Sequence, residues 1–270
     1  MRIADIVHRL RGHLPIYLMT SFSRSGETLL LRSLNEHPDI IVLHQLTFRD
    51  HPQDFQLFQT VTEHPGTSIR PPDEFLDRKG AGKIMVVKHA VWNHQYPFNG
   101  FILARNPFAC IASMLRHTES ETEARRRGRL ARWARKMDQN LVKIAEEGDE
   151  VEALSLLYLS KMQAAAMSKH RTVRYEDFVR APEKELRKIV SHLGVRWDVR
   201  TLTSERSYAA GDIGHGGINL AEPIRRDVPI YAGGLTRSQF DTVLRTTAPV
   251  LPHFGYRVKD GVVEVASPLA

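Results

Sequence analysis

The stretch from Pro15 to Leu34, PIYLMTSFSRSGETLLLRSL, constrains this chain more than any other. Ile16 to Met19 is an apolar run too short for a typical helix. Ser21 to Gly26 has the composition of a tight turn, and Leu30, Leu31 and Leu34 then recur at helical spacing. A short buried strand, a turn and a helix in that order point free backbone N–H groups at whatever lies above the helix N-terminus. That is an anion site, with phosphate its usual guest.

The same alternation continues downstream. Ile40 to Leu43 follows His37-Pro38 as a second short strand. Lys83 to Val87 is another, ending in Lys88-His89, and Gly100 to Ala104 another, ending in Arg105. Asn106-Pro107 reads as a helix start, because Asn suits the N-cap and Pro the first helical position. Thr172 to Arg174 is a further strand. Helices are expected from Glu119 to Glu147, Val151 to Met167, Pro182 to Leu193 and about Thr236 to Val250. Short apolar strands between helices predict an α/β chain of three layers, α/β/α, around a central, mostly parallel sheet. With 270 residues and 42% hydrophobic content the chain can bury a full core, which excludes disordered and collagen-like classes. No repeat or linker divides it, so residues 1–270 read as one domain. Two irregular parts are expected: an insertion over about 47–80, with one short helix near Phe55 to Val61, and a mobile, Gly-rich flap over about 203–234.

The bulk chemistry narrows the partners. A single cysteine, Cys110, rules out an intramolecular disulfide framework and fits a reducing compartment. The N-terminus shows neither a signal peptide nor a transmembrane span, and with Met1 as the start a cytoplasmic location is expected. The formal charge of +7 favours anionic partners without choosing among nucleotides, acidic glycans, lipid headgroups and nucleic acid. The basic run of Arg125, Arg126, Arg127, Arg129, Arg132, Arg135 and Lys136 is either a solvated face or a funnel for an anionic acceptor or a membrane surface. Leu130, Trp133, Met137 and Leu141 form its inner stripe, which favours packing over nucleic-acid stacking, so no nucleic-acid partner is expected.

The turn itself is not a Walker A loop, which needs G-x-x-x-x-G-K-[ST]. Gly26 is followed by Glu27 and Thr28, and the cation comes before the glycine, at Arg24. No strand ends in an acid that clearly serves as a magnesium ligand, and bunched triphosphate charge calls for that metal. A sulfuryl group carries less charge and suits side-chain cations alone.

Three segments resemble the sulfotransferases that use 3′-phosphoadenosine-5′-phosphosulfate (PAPS). SRSGET (Ser23 to Thr28), followed by LLLRSLNEHPDI, is similar to the family's 5′-phosphosulfate loop. RNPFACIAS (Arg105 to Ser113) resembles its 3′-phosphate segment. VRYEDFVRAPEKELRKIVSHLGV (Val173 to Val195) resembles its Y-E-D…P…L-G stretch. The resemblance implies a P-loop NTPase-like sulfotransferase fold and a set of roles. Ser25, Gly26, Glu27 and Thr28 would frame the 5′-phosphosulfate, through backbone amides and the Ser25 and Thr28 hydroxyls. Arg24 would stabilise the leaving charge, with help from Lys88. Arg105 and Ser113 would hold the 3′-phosphate, and Tyr175 would lie near the adenine. Glu176 and Asp177 read as helix-start residues.

The chain departs from the family pattern at several places. Position 27 is Glu where the family has Thr or Ser, so its carboxylate must point away, pair with a cation such as Arg32, or act on the acceptor. The family's preceding Pro is Ser23. A C-terminal R-K-G stretch is missing, with Arg206, Arg225 and Arg226 as possible substitutes. A general base is needed for the acceptor hydroxyl. His89, after Lys88, is the first candidate, His44 the second and Glu27 the third. No metal is expected, since neither H-E-x-x-H nor paired C-x-x-C occurs.

The expected activity is sulfuryl transfer from PAPS to a hydroxyl on a carbohydrate or glycolipid, by in-line displacement, with a peripheral membrane contact permitted. Two alternatives stay open: a P-loop phosphotransferase (kinase) using ATP, and a non-catalytic nucleotide- or nucleic-acid-binding protein of the same fold. The oligomeric state is not legible.

Overall fold

The structure, a computed structural model, describes residues 13–44, 53–63, 68–79, 82–89, 99–168, 170–214, 219–227 and 229–266. The ordering begins with β1 (Leu14–Ser21), α1 (Glu27–Asn35) and β2 (Ile40–Leu43). After them come α2 (Asp54–Glu63), β3 (Ser68–Ile69), α3 (Asp73–Lys79) and β4 (Ile84–His89). Then follow β5 (Gly100–Ala104), α4 (Pro107–His117), α5 (Glu123–Met137), α6 (Val142–Glu147), α7 (Glu150–Met167) and β6 (Arg171–Arg174). The chain closes with α8 (Tyr175–Arg180), α9 (Pro182–His192), α10 (Arg237–Thr247), β7 (Tyr256–Lys259) and β8 (Val262–Val265).

Five strands run parallel in the order β2-β4-β1-β5-β6, and β3 pairs antiparallel with the start of β1. The sheet is apolar on both faces, as a covered parallel sheet must be. Phe101 and Leu103 of β5 face α1, α8 and α9, while Ile102 and Ala104 face α4, α5, α7 and α10. Over the β2-β4 half, Met85, Val87, Ile41 and Leu43 pack on Val61 of α2 and Phe75 of α3. The result is the three-layer α/β/α architecture expected from the strand and helix alternation.

The strand order positions the site. From β1 the chain moves to β4 and β2 on one side and to β5 and β6 on the other. Such a reversal opens a crevice at the carboxyl ends of the strands. Register brings Met19 beside Lys88, Thr20 beside His89 and Ser21 beside Leu103. The turn after β1, the end of β4 and Arg105 after β5 therefore meet at one edge.

Several details differ from the sequence reading. The expected helix over 119–147 is broken at Asp138, which is extended (φ −158°) and accepts a hydrogen bond from the Asn140 amide, so its side chain competes with the helical ladder. The insertion carries the expected helix, plus α3 and the short β3. The hairpin of β7 and β8 was unforeseen, although Asp260-Gly261 is the dipeptide such turns demand; both residues have positive φ (50° and 76°). At the start of the stretch read as a flap, the 3-10 turn Ser204–Ser207 lies against α1, as does Val199–Leu202 just before it. No helix among the described residues is long and apolar enough to cross a membrane.

Arg32 ties that stretch to α1. Its side chain is completely buried, and it donates to Ser204 Oγ (3.0 Å), the Leu220 carbonyl (2.5 Å) and the Glu222 carbonyl (3.1 Å). Arg32→Met leaves those acceptors dry and unpaired, each costing about 1–3 kcal/mol. The expected outcome is a lower denaturation midpoint together with new protease cleavage between residues 204 and 222. An unchanged midpoint and cleavage pattern would contradict this role for Arg32.

Candidate functional site

The turn between β1 and α1 is built on left-handed backbone at Arg24 (φ 71°) and Gly26 (φ 95°). Glycine is required at 26 for a second reason: a Cβ there would lie 2.3 Å from Tyr175 Cδ2. Gly26 is also the N-cap of α1 and makes no side-chain cap bond. The first-turn amides of α1 therefore have no cap acceptor from that side chain, the arrangement that receives an anion. The Ser25 amide is already bonded to the Phe22 carbonyl (3.3 Å), and Ser25 is fully buried with Oγ 3.6 Å from Cys110 Sγ. Ser25 thus lies buried beside Cys110 and is not among the residues that line the cavity above the turn.

Three elements supply cations above this cradle. Arg105 donates from Nη1 to the Arg24 carbonyl (2.9 Å), and its guanidinium lies 4.3 Å from the Tyr175 ring centroid. Arg24 donates from Nε to Ser113 Oγ (3.1 Å). Lys88 reaches in from the end of β4, with Nζ 3.9 Å from Glu27 Oε1. Ser23, Arg24, Gly26, Glu27, Thr28, Leu29, Lys88, Arg105 and Tyr175 line one cavity of about 200 Å³. The two anion segments read separately from the sequence are thus clasped into a single site.

Glu27 is not paired with Arg32, contrary to one expectation. Five residues apart on a helix, the two side chains point about 140° from each other. Instead Glu27 Oε1 accepts from Ser21 Oγ (3.0 Å) and faces Lys88. Burial lowers the pKa of Arg24; the Glu27 charge opposes that shift, and Arg105 adds to it. Below the cradle sits Lys161 of α7, which is 3% exposed. Burial pushes its ammonium down to about 7, with Glu27 opposing and Lys88 reinforcing the shift. Sequence reading missed Lys161, although a lysine at i+4 from Leu157 and i+7 from Leu154 interrupts an apolar helix stripe.

The remaining candidates are scattered around this centre. His44 is buried, directly after β2 and so on the Lys88 side of the cleft. His89 ends β4 opposite Thr20, and its side chain lies outside the described residues. Ser113 does not line the cavity but fixes Arg24. Arg206, Arg225 and Arg226 also stay off the cavity lining, and Arg225 faces Asp227 at 3.7 Å. Arg116, one turn beyond Ser113, was overlooked: its charge bears on Arg24, and Gly234 closes over its Nη1. The basic helix α5 is mostly neutralised, with Arg126, Arg127, Arg129 and Arg135 bridged to Glu150, Glu123, Glu121 and Glu146. Burial raises the Cys110 thiol to about 12, so that cysteine is a packing residue under the loop.

The Y-E-D segment supports the site. Glu176 Oε1 accepts from the Asn106 amide (3.2 Å) and Asn106 Nδ2 (2.8 Å), and Oε2 from Tyr256 Oη (2.7 Å). Asp177 accepts two hydrogen bonds from Arg174, both 3.0 Å, and Arg174 also donates to the Phe254 and Ala266 carbonyls. Tyr158 Oη donates to the Arg105 carbonyl (2.7 Å). The backbone bearing Arg105 is thereby held on both sides.

A stretch of residues 96–199 matches the model described as the sulfotransferase family. That segment of the chain is similar to the sulfotransferase family. It contains the second and third motif segments and bears out the resemblance read from them; the Ser23–Thr28 loop precedes it. No curated protein matches the chain. Solved structures similar to it include the sulfotransferase domain from the curacin biosynthetic pathway, at 15% identity over 87% of this chain and 97% of that one (TM-score 0.47). A mouse sulfotransferase, SULT7A1, complexed with PAP is 14% identical over 88% and 85% (TM-score 0.48). A sulfotransferase from Alicyclobacillus acidocaldarius is 18% identical over 88% and 93% (TM-score 0.42).

Two outcomes follow from this geometry. Gly26→Ala strains the turn and collides with Tyr175, lowering thermal stability; Tyr175→Ala in the same chain restores part of the loss, because it removes the collision but not the positive φ. A double-mutant cycle measures this, and strict additivity would refute the contact. For Lys161 the native pKa lies near 7 against 10.5 for an unburied lysine. Between those values the unfolded chain binds more protons, so stability rises with pH across the interval. Lys161→Met flattens that rise in denaturant titrations, and an unaltered slope would assign it to other groups.

Proposed function

We propose that the protein transfers a sulfuryl group from PAPS to an acceptor hydroxyl, on a carbohydrate or glycolipid, in the cytoplasm. The observation that carries this reading is the clasp of Arg24 to Arg105 and Ser113 above an open helix N-terminus. A nucleotide bearing phosphates at both 5′ and 3′ positions needs two anion sites on one rigid frame, and the clasp supplies them. The cradle also fits: Gly26 leaves room where a Cβ would not, and Arg24, Lys88 and Arg105 converge on the cavity.

PAPS would supply an activated sulfuryl group. The first-turn amides of α1 and the Thr28 hydroxyl bind its 5′ anion, as donors preset for negative charge. Arg24 and Lys88 stabilise charge that develops on the leaving phosphate. Arg105 holds the 3′-phosphate, with Arg116 adding positive charge near Arg24, and Tyr175 orients the nucleotide against the Gly26 turn. On the Lys88 side of the cleft, His89 or His44 takes the acceptor proton. The match of residues 96–199 to the sulfotransferase family supports transferase chemistry, and the net charge of +7 supports an acceptor bearing acidic groups.

Adenosine 3′,5′-bisphosphate is expected to raise the melting temperature without magnesium. Arg105→Ala weakens that ligand by about tenfold or more, the scale of a charge-assisted contact, while leaving adenosine 5′-phosphate nearly unaffected. Stabilisation by ATP with magnesium, with the bisphosphate inert, would overturn the proposal in favour of a phosphotransferase. Equal losses for the two ligands would remove Arg105 from the 3′ end.

A further inference from the structure

Glu27 sets a carboxylate in the wall of an anion cradle. It is 7% exposed, lines the cavity, and is the first residue of α1. It is also held there. Ser21 Oγ donates to Oε1 at 3.0 Å, and Lys88 Nζ lies 3.9 Å from the same oxygen. The charged groups bearing on it come from three elements: Arg24 from the turn, Lys88 from β4 and Lys161 from α7.

A fixed negative charge beside a bound anion repels it in proportion to that anion's charge, and low local dielectric magnifies the difference. A sulfuryl group on a phosphate carries one negative charge. A phosphoryl group in the same place carries nearly two near pH 8, because its second pKa is about 6. The two groups are otherwise alike in size and shape. Neither Ser21 nor Lys88 needs Glu27 in order to bind an anion; without the carboxylate, Lys88 would attract either group.

We infer that Glu27 is a specificity-determining residue, a charge filter that admits a singly charged terminal group and rejects a doubly charged one. This deepens the proposed function and rests on it. It also gives the residue a use that neither helix propensity nor capping demands.

The test compares PAPS with its isostere, adenosine 5′-diphosphate 3′-phosphate, in which a terminal phosphoryl replaces the sulfuryl. Both are titrated calorimetrically at pH 8 against the wild-type protein and Glu27→Gln, with adenosine 3′,5′-bisphosphate as the control that lacks the terminal group. The wild type is expected to prefer PAPS by about tenfold or more, the scale set by one extra charge–charge contact. Glu27→Gln brings the two within about threefold by tightening the isostere, and the bisphosphate still binds. At pH 5.5 the phosphoryl group gains a proton and the wild-type preference shrinks. Lys161, which burial lowers to about 7, gains charge over the same interval, so Glu27→Gln measured at both pH values supplies the reference for its contribution.

A wild-type ratio near one, or a ratio unchanged by Glu27→Gln while the bisphosphate still binds, overturns the filter and leaves the nucleotide site standing. If the bisphosphate binds neither protein, the site reading itself fails. Should Glu27→Gln not fold, Glu27→Thr carries the same comparison, and the wild-type ratio alone still decides against the filter if it is near one.

Discussion

The clasp between Arg24 and the segment Arg105–Ser113 is the interaction on which the rest of the site depends. Arg24 sits in left-handed backbone, an unfavourable conformation for a residue with a side chain. Two contacts hold it there: Arg105 donates to its carbonyl, and Ser113 accepts from its side chain. Both partners come from the neighbouring strand and helix, so the turn after β1 is shaped by β5 and α4 as much as by its own sequence. Two cations that would repel each other are thus built into one frame before any anion arrives. Such preorganisation lowers what must be rearranged on binding.

That frame is held from below and behind by buried polar groups. Glu176 bonds to the backbone and side chain of Asn106, the residue next to Arg105, and also to Tyr256 of the C-terminal hairpin. Asn106 in turn donates to the Ile230 carbonyl at 2.7 Å. Arg32 fastens Ser204, Leu220 and Glu222 to the helix whose N-terminus forms the cradle. Buried networks of this kind contribute less to net stability than to fixing one arrangement, because breaking any member leaves the others unsatisfied. The final third of the chain, weakly patterned in sequence, is tied through them to the cradle helix and to the Arg105 segment.

Charge is not concentrated where the sequence displays it most densely. The run of arginines on α5 faces carboxylates of α5, α6 and α7 and the preceding turn, which makes it a scaffold between helices. The electropositive ground is instead at the strand ends, where Arg24, Lys88, Arg105 and Arg116 come from four different segments. Lys161 and Glu27 add two buried charges of opposite sign under the same spot. Buried charges gather where binding or chemistry gives them a use.

The sequence by itself determined the layer order and the cradle. Short continuous apolar runs, the Ser- and Gly-rich turn and Asn106-Pro107 are local signals, and the strands and helix starts they mark formed there. It also placed Arg24, Lys88, Arg105 and Tyr175 at strand ends and helix starts, because those positions follow from local periodicity. The Asp260-Gly261 hairpin was legible too, but its alternation is short and lies beyond the last expected helix, where no element was read. Only the tertiary structure decided which side chains meet. That Ser25 is buried against Cys110, that Arg32 points away from Glu27, that Lys161 is buried near Glu27 and Lys88 and that Tyr175 demands glycine at 26 are all facts of long-range packing. They depend on contacts between residues separated by up to about 190 positions in Arg32's case, with Glu222. No local pattern encodes such a contact, because it exists only once the sheet has set its strand order.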